Sequence, residues 1–145
     1  MTVEGFAEVD VSALASWVET IPEHEWRWFA DPEWNGCAEV CRPVVAVLMK
    51  FFPPSCFVSG VGLFVLDAGQ EHPAHRDEQA PLWVTRIHVP VVTNPLATAT
   101  TDDGTFHMER GVAYMFNTRE THAVRNGGSR PRVHLVFDVM RSING

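Results

Sequence analysis

Apolar residues near the start of the chain recur at helical spacing. Leu14, Trp17 and Val18 share one face, with Asp10 or Ser12 placed to cap the segment and Pro22 beyond its end. The same spacing returns in Val40, Val44, Val45 and Leu48 and predicts a second helix over Cys37 to Phe51, closed by Pro53 and Pro54. Between them, Glu23 to Phe29 is an aromatic and acidic stretch with no clear period, expected to be a loop or irregular helix. From Cys56 onward the pattern changes to short runs of Val, Phe, Thr and Leu separated by Gly, Pro, Asn and Asp. These runs predict strands near 56–67, 71–78, 83–92, 104–110, 112–117, 121–126 and 131–140. Seven or eight short antiparallel strands point to a mainly β jelly roll. One domain over 1–145 is expected, with a helical N-terminal part over 1–54 and a β-barrel core over 55–141.

Alternation within two of these strands separates a polar face from an apolar one. In Trp83 to Val91, Arg86 and His88 oppose Trp83, Ile87, Val89 and Val91. In Arg132 to Met140, Arg132, His134 and Asp138 oppose Val133, Leu135, Phe137 and Val139. Such strands serve either a solvent-exposed polar face or a barrel with polar residues inside and its apolar face against the N-terminal helices.

Charge narrows the partners. The net charge of −7 disfavours nucleic acid, and 46% hydrophobic with 20% charged residues is a globular composition. The apolar runs 44–49 and 57–66 fall far short of the ~20 residues that span a bilayer, and the acidic start does not read as a signal peptide. Three cysteines without a tight framework suit a reducing, cytoplasmic setting. Residues 1–40 hold nine acids against Arg27 alone, whereas eight of the ten arginines lie at or after Arg76. That bias suits forked recognition of carboxylates, although compositional bias alone would also produce it.

The candidate chemistry lies in His75, Asp77 and His122. Two residues two apart on a strand face the same way, so His75 and Asp77 can bind one metal together. A distant third imidazole completes a two-histidine, one-carboxylate set with open positions, typical of non-haem Fe(II) oxygenases, whereas structural zinc favours four ligands. Asn126, Gly127 and Gly128 read as a hairpin turn, which would set His122 across from Arg132 on one face. An arginine there could hold a carboxylate in a forked pair.

Several blocks in order resemble the aspartyl/asparaginyl β-hydroxylase-like branch of the Fe(II) and 2-oxoglutarate-dependent dioxygenases, which includes bacterial proline hydroxylases. They are His75-x-Asp77, Arg86 to Pro90, Gly111 leading into Tyr114 to Asn117, His122 with Asn126, and Arg132 to Leu135 ending at Asp138. The resemblance covers about residues 60 to 140 and implies a cupin-like double-stranded β-helix. It implies His75, Asp77 and His122 as Fe(II) ligands, Arg132 as partner of the 2-oxoglutarate 5-carboxylate, and Arg86 with His88 lining the cosubstrate site. It further implies hydroxylation of an unactivated C–H bond of an amino acid, a peptide side chain or a related small molecule, with dioxygen consumed. Asn117 stands where the family often has Asp, and apolar Leu63 and Phe64 stand where a serine is common. The alternatives are a non-catalytic cupin-like module that holds a metal or small acid, and a metal-dependent isomerase or hydrolase on the same barrel.

Other residues take blander expectations. His72, three positions from His75, should face away unless a bulge intervenes, and is expected at the surface. His134 is either a donor behind the site or a satisfied core histidine. Cys37 and Cys41 are expected as buried small residues, and Trp26, Trp28, Phe29 and Trp34 as packing that borders the substrate pocket. For Arg86 and His88 an exposed strand face, or an ion pair with Glu71 or Glu78, is the alternative, and Arg119 and Arg125 are expected as solvated turn arginines or contacts for an acidic substrate.

Overall fold

The computed structural model describes residues 2–31 and 36–143, with side chains from 39 onward in the second helix. Trp34 and the side chain of Cys37 lie outside the described residues. In chain order the elements are β1 (Val3–Glu8), α1 (Ser12–Thr20), a 3-10 segment (Glu23–Ala30), α2 (Gly36–Met49), β2 (Cys56–Leu66), β3 (Glu71–His75), β4 (Trp83–Val92), β5 (Ala97–Thr101), β6 (Gly104–Phe106), β7 (Val112–Phe116), β8 (His122–Asn126) and β9 (Arg132–Arg141).

Both helices fall where the periodicity puts them. Neither candidate cap holds the N-cap position of α1, which falls to Val11 with no side-chain cap; Asp10, one residue earlier, accepts the Ser12 N–H on Oδ1 at 2.9 Å, and its hydrogen bonding to Ser12 holds the carboxyl below its ordinary pKa. The aperiodic aromatic stretch is the 3-10 segment, whose apolar Trp26 and Phe29 are three apart and therefore share a side. Two strands depart from expectation. The N-terminal part is not purely helical, since β1 opens it, and β5 precedes the predicted 104–110 strand.

The strands form a five-stranded sheet in the order β1-β7-β4-β9-β2 and a four-stranded sheet in the order β3-β8-β5-β6, with every pairing antiparallel. Apart from the β5-β6 hairpin, successive strands from β2 to β9 alternate between sheets. The chain thus winds as a double-stranded β-helix, a jelly roll. This winding corrects the expected hairpin about Gly127. β8 pairs with β3 and β5, whereas β9 pairs with β2 and β4. The Asn126 turn crosses from one sheet to the other, and His122 and Arg132 approach the interior from opposite walls.

The alternation in β4 and β9 has the second of its two meanings. Ile87, Val89, Val91, Val133, Leu135, Phe137 and Val139 pack in one core with Leu14, Val18, Trp26, Phe29 and Leu48 from the helical layer. The opposite side chains point between the sheets, where Val3, Ala99, Met108 and Phe116 fill part of the space and the polar residues line the rest. Trp83 is the exception to the parity. Register slips between Trp83 and Thr85, leaving Val84 as a bulge, and the Trp83 indole joins the Arg86 side.

Asn126, fully buried, fastens the crossing between sheets. Its Nδ2 donates to Leu66 O at 2.9 Å and Arg130 O at 2.8 Å, while its Oδ1 accepts from Gly128 N and from Asn94 Nδ2, both at 3.0 Å. All four of its hydrogen-bonding positions are used. A Cβ at Gly128 would collide with the Asn94 amide and displace the side chain that bonds Asn126. Nearby, Arg130 draws α1 and the 3-10 segment onto the barrel through Glu19 and Glu23, each at 3.0 Å.

Candidate metal centre

β3 and β8 lie side by side with His75 directly opposite His122, so the imidazoles meet with ring centroids 4.3 Å apart. The strand ends at His75, and Asp77 reaches the same place from the loop beyond it. Its N–H donates to Thr118 O at 2.9 Å, Arg76 Nε donates to Thr121 Oγ1 at 2.9 Å, and Gln79 Nε2 donates to Thr118 Oγ1 at 2.9 Å. These bonds lace residues 76–79 to the approach of β8. One ligand atom from each of His75, Asp77 and His122 lies within 4.8 Å of the others, a group that could hold a metal ion.

The two imidazoles are set in one tautomer by backbone carbonyls, which can only accept. His75 Nδ1 donates to Pro73 O at 2.7 Å and His122 Nδ1 donates to Glu120 O at 2.8 Å. In the neutral ring this leaves the lone pair on Nε2, and Nε2 of each faces Asp77, at 3.4 Å from Oδ1 for His75 and 3.9 Å from Oδ2 for His122. Two neutral nitrogens and one carboxylate, with no thiolate, suit a divalent first-row metal with open positions.

The triad opens onto a cavity of about 310 Å³ between the sheets, walled by Phe64, Leu66, Phe116, Val124 and Val136. Arg132 lines it, only 6% exposed, and its Nε has no hydrogen-bond partner. No carboxylate among the described residues stands within ion-pair distance of it. Burial alone lowers its pKa to about 10, which still leaves it charged at neutral pH. A buried, uncompensated guanidinium costs several kcal/mol, a cost that a bound anion would relieve.

Arg86 and His88 also line the cavity, but each has a protein partner. Arg86 forks onto Asp138 and reaches Asp77, which replaces the expected choice of exposed face or pairing with Glu71 or Glu78. His88 Nδ1 is 3.1 Å from Nδ1 of His134, so one ring donates and the other accepts. Burial and the neighbouring Arg132 charge hold both imidazoles well below their ordinary pKa. Stability from this pair is complete above the ordinary value of ~6.5 and is lost as the pH falls, because the unfolded chain then takes up protons that the folded one refuses. The slope is about 1.4 kcal/mol per pH unit for each ring, so the urea midpoint should drop between about pH 7 and pH 5.5. An unchanged midpoint would mean that the two rings titrate normally.

His72 is exposed, as position counting expects. Register slips between His72 and His75, and His72 lines the cavity at its rim while remaining exposed. Trp83 is the functional neighbour that parity missed, since its indole N–H donates to Asp138 at 3.0 Å. The signal for both is a bulge, marked in the first case by Pro73, which has no N–H for the ladder. Arg119 stacks on Trp83 at 4.9 Å and donates to Ala80 O, whereas Arg125 lies opposite Glu71 on the exposed side of β8. Asn117 ties the turn before β8 by accepting from Arg119 N and donating to Glu120. Trp26 and Phe29 are core residues beneath the helices and Trp28 is exposed; none lines the cavity.

The chain is thus a cupin-like jelly roll with a histidine, aspartate and histidine cluster at the mouth of its interior. Residues 23–142 match the sequence profile of the aspartyl/asparaginyl beta-hydroxylase family, and the chain belongs to that family. Solved structures share the fold at low identity. The non-heme monooxygenase ThoJ, as its nickel complex, has a TM-score of 0.64 at 14% identity over 97% of this chain and 74% of its own. The viral collagen prolyl hydroxylase of Paramecium bursaria Chlorella virus-1, in complex with 2OG, has a TM-score of 0.63 at 11% identity over 99% and 97%. A Pseudomonas putida prolyl-4-hydroxylase has a TM-score of 0.61 at 14% identity over 97% and 92%. No curated protein sequence matches. No helix among the described residues is long and apolar enough to cross a membrane.

Proposed function

We propose that this chain is an Fe(II)- and 2-oxoglutarate-dependent hydroxylase that acts on an unactivated C–H bond of an amino acid, a peptide side chain or a related small molecule. The observation that carries the reading is the pairing, in one cavity, of an open three-ligand cluster with a buried guanidinium that has no carboxylate partner among the described residues. A metal store has no use for the second feature. A dicarboxylate that chelates at one end needs it at the other.

His75, Asp77 and His122 would hold the iron, and Arg132 would take the 5-carboxylate of 2-oxoglutarate. The bound iron supplies the oxidation, in which 2-oxoglutarate, dioxygen and a substrate C–H give succinate, carbon dioxide and C–OH. The chain's own contribution is placement. The carbonyls of Pro73 and Glu120 keep the lone pairs of both imidazoles aimed at one point, and Arg132 draws the cosubstrate into the interior by charge. Phe64, Leu66, Phe116, Val124 and Val136 exclude water from the space between. His88 and His134, kept neutral, place no further charge beside the carboxylate. A reducing cytoplasm is the setting that preserves Fe(II).

The test is an anaerobic titration of the Fe(II)-loaded protein with 2-oxoglutarate. A visible metal-to-ligand charge-transfer band is expected, followed on admission of oxygen by succinate and by gain of one oxygen atom in a true substrate. Bound iron with no such band overturns chelation by the cosubstrate. Turnover without succinate would move the chain to the isomerase or hydrolase reading.

A further inference from the structure

We propose that Arg86 is a positioning residue for the metal-binding carboxylate of Asp77, locked in that role by Asp138 and Trp83, and not a clamp for the carboxylate of cosubstrate or substrate. The inference rests on the reading of His75, Asp77 and His122 as a metal site.

Arg86 and Asp138 are direct cross-strand partners on β4 and β9. Arg86 Nε donates to Asp138 Oδ1 at 2.9 Å and Nη2 donates to Oδ2 at 3.1 Å, which are the two bonds of a fork. Asp138 Oδ1 also accepts the Trp83 indole N–H at 3.0 Å, an arrangement that exists because the bulge at Val84 turns Trp83 inward. The guanidinium is planar, so a fork on one edge fixes where the remaining nitrogen points. That nitrogen, Nη1, lies 3.4 Å from Asp77 Oδ2.

Asp77 needs such a partner. Its backbone is held by Thr118, but the rotation of its carboxylate is set by what its two oxygens meet. Oδ1 is the oxygen near His75 Nε2, at 3.4 Å, and Arg86 holds the other one. Anchoring one oxygen favours ligation through a single oxygen, which leaves metal positions open for chemistry. The Asp138 charge balances that of Arg86, so the positioning group does not repel a cation. With Nε and Nη2 on Asp138 and Nη1 directed at Asp77, each guanidinium nitrogen of Arg86 already has a protein carboxylate partner, whereas Arg132 is the candidate without one for a small-molecule carboxylate.

The experiment uses Co(II) as the probe, followed by its visible d–d bands and by calorimetry, in the wild type and in the Arg86→Lys, Asp138→Asn and Trp83→Phe variants. Arg86→Lys keeps the charge and removes the fork, so lost affinity there is not electrostatic. Co(II) should bind about 10-fold or more weakly to Arg86→Lys and Asp138→Asn, with altered bands, and Trp83→Phe should give a smaller loss of the same kind. At saturating Co(II), the Kd for 2-oxoglutarate should stay within about 3-fold of wild type, since the clamp is untouched. Unchanged Co(II) affinity and bands in the folded variants overturn the proposal. Normal Co(II) binding with weakened 2-oxoglutarate binding overturns it in favour of a clamp. Failure of the wild type itself to bind Co(II) at the triad overturns the metal reading beneath it, and Asp138→Asn with Trp83→Phe keeps the test open if Arg86→Lys does not fold.

Discussion

Arg132→Ala is expected to weaken 2-oxoglutarate binding to the metal-loaded protein by roughly 30-fold or more, the lower end of the 2–5 kcal/mol that follows loss of one partner of a buried charge pair. The wild-type arginine is already stripped of water and meets no carboxylate among the described residues, so the anion gains a desolvated, preformed partner. Metal affinity should change little, because Arg132 comes from the sheet opposite His75 and His122. Arg132→Lys keeps a charge but not the fork, and should recover part of the loss. Anaerobic titration calorimetry measures all three, with succinate as a comparison that retains a carboxylate for Arg132 and lacks the keto chelate. Wild-type affinity in Arg132→Ala would show that the clamp is wrongly placed.

Asp77→Ala should reduce iron-dependent turnover by more than about 100-fold, beyond the 10- to 100-fold that loss of a partner behind a ligand commonly brings. The variant should still fold, because the backbone N–H of residue 77 keeps its bond to Thr118 O and the side chain stands at the cavity mouth. Iron titration alongside the unfolding midpoint separates a lost ligand from a lost fold. Wild-type turnover in this variant would place the metal elsewhere.

Much of this site is legible in the sequence because its spacing is short. His75 and Asp77 are close enough in the chain that few conformations separate them, and the alternation of β9 puts Arg132 and His134 on one face without any knowledge of partners, leaving to the barrel whether that face meets water or the interior. What sequence alone misses is pairing. The Asn126 to Gly128 signal is a real turn, yet it leads into the other sheet, since winding between sheets is a property of the whole barrel. Position counting also fails across a bulge, which is why Trp83 moves to the cavity side and His72, exposed as expected, still reaches the cavity rim. β5 escapes notice because its inward residues, Ala97, Ala99 and Thr101, are small and its outward ones, Thr98 and Thr100, are threonines, so the contrast between faces is weak. β1 carries Glu4, Gly5 and Glu8 in six residues and is a strand because β7 offers an edge to pair with.

The Asn126 amide has a chemical consequence as well as a mechanical one. An asparagine followed by glycine is the dipeptide most prone to deamidation, in which the following backbone nitrogen attacks the side-chain carbonyl carbon and ammonia leaves. In the folded chain the Gly127 N–H is tied to Leu96 O at 2.9 Å, and both ends of the Asn126 amide are held. Neither reacting group is free to turn toward the other. The native fold therefore protects the Asn126–Gly127 pair, one of three Asn-Gly pairs in the chain with those at 35–36 and 144–145, and aspartate or isoaspartate at position 126 would accumulate only in molecules that have opened. Once formed, that added charge would sit against the carbonyls of Leu66 and Arg130 and hinder their return to the fold, so chemical ageing of Asn126 is coupled to the opening of this turn.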